Sequence, residues 1–134
     1  MIATTLAVVA GCIGGVLLLA RLLDSDRMAT PTVSAFYLCL LACVYPLILV
    51  LTGPLDALPR HAAIAAACIV LALIGLRFGF ALVIAGFAAQ GVLNIVMGLG
   101  QHPGHALWSA FAAALAITLA VGLTLLTRTD RSLR

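Results

Sequence analysis

Glutamate and lysine are both missing from the 134 residues, and aspartate occurs only four times. General acid–base chemistry with paired carboxylates needs two such groups inside a packed site. Here Asp24, Asp26, Asp56 and Asp130 all fall in polar connections or in the tail. No Ser/His/Asp set can be assembled within an apolar stretch, and neither a Gly-x-Gly-x-x-Gly nor a phosphate-cradling loop occurs. The chain is therefore expected not to be an enzyme. The seven arginines give a net charge of +3 but stand at the ends of apolar stretches, so nucleic acid is not an expected partner. Cys-x-x-Cys is missing as well. Cys12, Cys39, Cys43 and Cys68 lie inside apolar runs and read as small buried hydrophobes. The sequence names no cofactor.

What remains is mostly hydrocarbon. Hydrophobic residues make up 65% of the chain and charged residues 8%, with a mean hydropathy of +1.29. Backbone placed in lipid must satisfy its own hydrogen bonds, and long uninterrupted apolar runs do so as helices. The expected fold is all-α: one integral membrane bundle filling residues 1–134, in a cell inner membrane, with the lipid bilayer as its first partner.

Five spans are expected, at about residues 2–20, 32–51, 59–76, 78–100 and 106–126. The first carries Ala3, Ala7, Gly11 and Gly15 at a strict four-residue spacing. Small residues in that register let a second helix approach closely. Thr30-Pro31 reads as an N-cap with proline in the first turn, and Pro46 should kink the second span. From His61 to Gly100 the chain is apolar apart from Arg77. Forty residues of helix would be about 60 Å long, twice the hydrocarbon thickness. The stretch must therefore turn back, and Arg77 between Gly75 and Gly79 is the expected hairpin and a snorkelling topology anchor.

Orientation follows from the arginines. With the N-terminus outside and the C-terminus cytoplasmic, Arg21, Arg27, Arg77, Arg128, Arg131 and Arg134 are inside and Arg60 alone is outside. Merging the third and fourth segments into one span destroys this bias.

The fourth span holds the strongest polar signal. Gly86, Gln90, Asn94 and Gly98 recur every four residues down one side of a helix that has no formal charge. An unpartnered amide in hydrocarbon costs several kcal/mol, so this line should face protein. Gln90 and Asn94 then either tie helices together or line a path for a polar solute. Transport coupled to protons or ions usually employs an ionisable group in mid-membrane, and none is present. A third set is His61, His102 and His105, all on the external face in this orientation. Imidazoles in that arrangement suit a metal or a haem- or chlorophyll-type pigment, or simply turn and headgroup contacts.

Gln90-Gly-Val-Leu-Asn94, followed by Pro103 and Trp108-Ser-Ala-Phe111, resembles a group of small bacterial multi-span membrane proteins. Their penultimate helix carries His-x-x-x-Asp, and Pro…Trp-x-x-Phe/Leu opens the last helix. The resemblance covers the last third of the chain. Amides replace the ionisable pair here, so it implies a packing role by hydrogen bonding, without the charge. Taken together, the expectation is a non-enzymatic accessory or structural subunit packing on copies of itself or a larger membrane complex. The alternatives are a small oligomeric transporter or channel lined by Gln90 and Asn94, and metal or pigment binding by the histidines.

Overall fold

A computed structural model describes residues 1–24, 31–52, 55, 58–98 and 103–132. These form α1 (Ile2–Asp24), α2 (Pro31–Thr52), α3 (Leu58–Phe78), α4 (Phe80–Gly98) and α5 (Pro103–Ser132). No strand occurs among the described residues. Each helix holds a segment long and apolar enough to cross a membrane, from Ile2–Arg21 to Ala106–Arg128. Even the shortest, the 19-residue α4, is ~28 Å long at 1.5 Å per residue, which matches a hydrocarbon core.

Local chemistry explains several boundaries. Pro31 and Pro103 open their helices at the position where a missing N–H is harmless. Arg21 and Arg77 stand in last turns, where cations complement the carbonyl end. The expected cap at Thr30 lies outside the described residues. Helix α2 continues through Pro46 to Thr52; the proline removes the N–H that the Ala42 carbonyl would accept.

The α3–α4 junction differs from the expected hairpin at Arg77. Helix α3 runs through Arg77 to Phe78, and the break is Gly79, with φ +139°. Arginine is a good helix former, whereas that φ is one L side chains rarely adopt. The corner is pinned on both sides. The Gly79 N–H donates to the Gly75 carbonyl at 3.0 Å, and the Leu82 N–H donates to the Gly79 carbonyl at 3.1 Å. Gly75 lets the chain double back: a Cβ there would meet Val83 Cγ2 at 2.6 Å.

The chain divides into two compact units, Met1–Arg27 with Phe87–Arg134, and Met28–Gly86; the division falls within α4. In the first unit α1 packs on α5. Gly11 meets Ala114, Gly15 meets Thr118, and Leu19 meets Gly122. The partners keep a constant offset and rise together, so α1 and α5 are parallel. Gly91 meets Ile117 while Gly98 meets Ser109. There the numbers run in opposite directions, so α4 is antiparallel to α5. In the second unit α2 packs on α3. Ala42, Ala65 and Cys68 form a buried cluster supported by Ile64. The Tyr45 and His61 rings lie 4.3 Å apart, an antiparallel register.

Large apolar side chains project from all five helices. Ile13 and Leu17 on α1, Leu47 on α2, Leu73 on α3, Val96 on α4 and Leu125 on α5 are all more than half exposed. Charged residues of the described helices stand in or near their terminal turns: Arg21, Asp24, Arg60, Arg77, Arg128, Asp130 and Arg131. Threonine hydroxyls turn back onto their own helices. Thr118 donates to the Ala114 carbonyl at 2.8 Å and Thr124 to the Ala120 carbonyl at 2.7 Å, leaving their methyl groups for packing.

Candidate functional site

The α1–α5 seam is built from two matched ladders. On α1 the small residues are Ala3, Ala7, Gly11 and Gly15. On α5 they are Ala106, Ala110, Ala114, Thr118 and Gly122, again four apart. Rows spaced by four on two helices can nest, and small side chains bring the backbones close. Gly11 shows how close: a Cβ there would collide with the Phe111 carbonyl oxygen and lie 2.9 Å from Ala114 Cβ. A Cβ on Gly15 would lie 2.8 Å from Thr118 Cβ and 3.2 Å from the Leu115 carbonyl oxygen. One turn further on the roles reverse, and Leu19 fills the space above Gly122.

Toward the start of α1 the seam opens. Gly11 and Gly15 are buried, Ala7 is half-buried and Ala3 is exposed. Here Thr4 and Val8 of α1, Asn94 and Gly98 of α4, and Ala106 and Ala110 of α5 line a groove of about 350 Å³. Its floor continues along α5 through Ser109 and Ala113 to Ile117. The alanines are too small to close the gap between the helices, and its walls are almost wholly apolar.

The line of four residues on α4 divides between two environments. Gly86 and Gln90 are buried, whereas Asn94 and Gly98 are half-buried. A row of four-spaced residues winds slowly around a helix, so its two ends meet different surroundings. Gly86 sits against Leu38 of α2, where a Cβ would come within 2.5 Å of a leucine methyl group. Gly98 sits against Ser109, at 2.8 Å from its Cβ. Gln90 is 4% exposed, and its Oε1 finds no hydrogen-bond partner among the described residues. Asn94 lines the groove and Gln90 does not. The geometry thus separates the two amides instead of joining them along one path. Ser34 Oγ and Trp108 Nε1 are likewise buried with no partner among the described residues, and the Trp108 ring lies 5.2 Å from that of Phe111.

Of the three histidines, His61 is buried against Tyr45. His102 and the His105 side chain lie outside the described residues, as do Gln101 and the side chains of Pro103 and Gly104. Among the described residues no group of three or more His, Cys, Asp or Glu side chains is placed to hold a metal ion. Arg77 is exposed in the last turn of α3. The four cysteines are free thiols: Cys68 belongs to the buried α2–α3 cluster, Cys39 is half-buried, and Cys12 and Cys43 are exposed.

Two features escaped the sequence reading. The α5 ladder was visible as a four-residue spacing, but alanine is so frequent on that helix that the pattern does not stand out. The groove had no sequence signal, because it exists only where the two ladders cease to touch. No family model, curated protein or solved structure matches the chain.

Proposed function

We propose that the chain is a small, non-enzymatic integral membrane protein of a cell inner membrane, an accessory or structural subunit that packs against copies of itself or a larger membrane complex. The observation that carries this reading is the distribution of polarity. All five helices turn large apolar side chains outward, and the described charges stand near helix ends. Such a surface suits lipid or another apolar helix, and the buried ionisable side chains among the described residues are Tyr45 on α2 and His61 and Cys68 on α3. The arginine bias supports an external N-terminus and a cytoplasmic C-terminus.

The buried half of the small-residue ladder of α1 is already engaged within the chain. Its Gly11 and Gly15 are occupied by α5 of the same chain. Apolar faces on α2 and α3, with Phe36, Leu40, Val70 and Leu73 all exposed, are the partner surface we favour.

Cross-linking in native membranes, followed by purification in mild detergent and native mass spectrometry, tests the proposal. Cross-links from α2 or α3 to a second copy or a larger membrane protein are expected. A monodisperse monomer with no cross-linked partner would overturn the subunit reading.

A further inference from the structure

We draw no further inference here: the strongest candidate, the apolar groove lined by Thr4 and Val8 of α1, Asn94 of α4 and the 106–117 stretch of α5, has nothing in the structure that shows what covers it.

Discussion

One added methyl group at Gly11 should weaken the α1–α5 pair, whereas the same methyl at Gly14 should not. At Gly11 the new Cβ collides with the Phe111 carbonyl oxygen and lies 3.2 Å from the Leu115 nitrogen. Both are backbone atoms held by the hydrogen bonds of α5, so no side-chain rotation relieves the overlap. The helices must move apart by about 1 Å, and a gap of that size forfeits a quarter to a half of each contact along the seam. Overpacking of this kind costs about 1–3 kcal/mol, and a backbone collision belongs at the upper end. Replacing glycine within a helix returns roughly 0.5–1 kcal/mol. Gly11→Ala should therefore destabilise the protein by about 2 kcal/mol net. At Gly14 the nearest atom is Leu115 Cδ1 at 3.5 Å, an ordinary contact, so Gly14→Ala should be neutral or slightly stabilising. Gly122→Ala is intermediate, because the atom it meets is the movable end of Leu19. Trp108, the one tryptophan, lies on α5, and its fluorescence can follow unfolding as sodium dodecyl sulfate is titrated into mild-detergent micelles. If Gly11→Ala matches the wild type, or Gly14→Ala is equally damaging, the close approach of α1 to α5 is not as described.

Other substitutions probe the remaining features. Gly79→Ala meets no neighbour within 4 Å but retains a φ of +139°, so it should cost about 1–3 kcal/mol through backbone strain alone, measured by the same titration. Gln90→Leu removes a buried acceptor that has no partner among the described residues and should leave stability unchanged or raise it by about 1 kcal/mol; a loss of that size would instead mark Gln90 as a hydrogen-bonding tie. A double-mutant cycle on Tyr45→Leu and His61→Leu should give a coupling of about 0.5–1.5 kcal/mol from the ring contact, and additive single effects would remove that contact from the account.

Much of this architecture was legible because lipid imposes so few options. Long apolar runs had to be helices, and the 40 residues after Arg60 had to turn. Where they turn was less accessible. Arg77 is the conspicuous polar residue, but the corner is set by the residue able to adopt φ +139°, and that is Gly79. The ladder on α1 could be read directly, whereas its mate could not. Several helices carry small residues at suitable spacing, and nothing in one sequence fixes which of them dock. The line through Gln90 and Asn94 was equally visible. Its division, with Gln90 buried and Asn94 at a groove, depends on neighbours that come from distant parts of the chain. The ring contact between Tyr45 and His61 needs the antiparallel register of α2 and α3, which no local pattern encodes.

Reporter fusions at each terminus, one active only outside the cytoplasm and one only within it, bear most directly on the central claim. A chain that crosses five times, with α1 and α5 running in the same direction, must leave its two ends on opposite sides. The external reporter should be active at the N-terminus and the cytoplasmic reporter at the C-terminus. Both ends on one side would contradict the five crossings and, with them, the parallel α1–α5 seam within a bilayer.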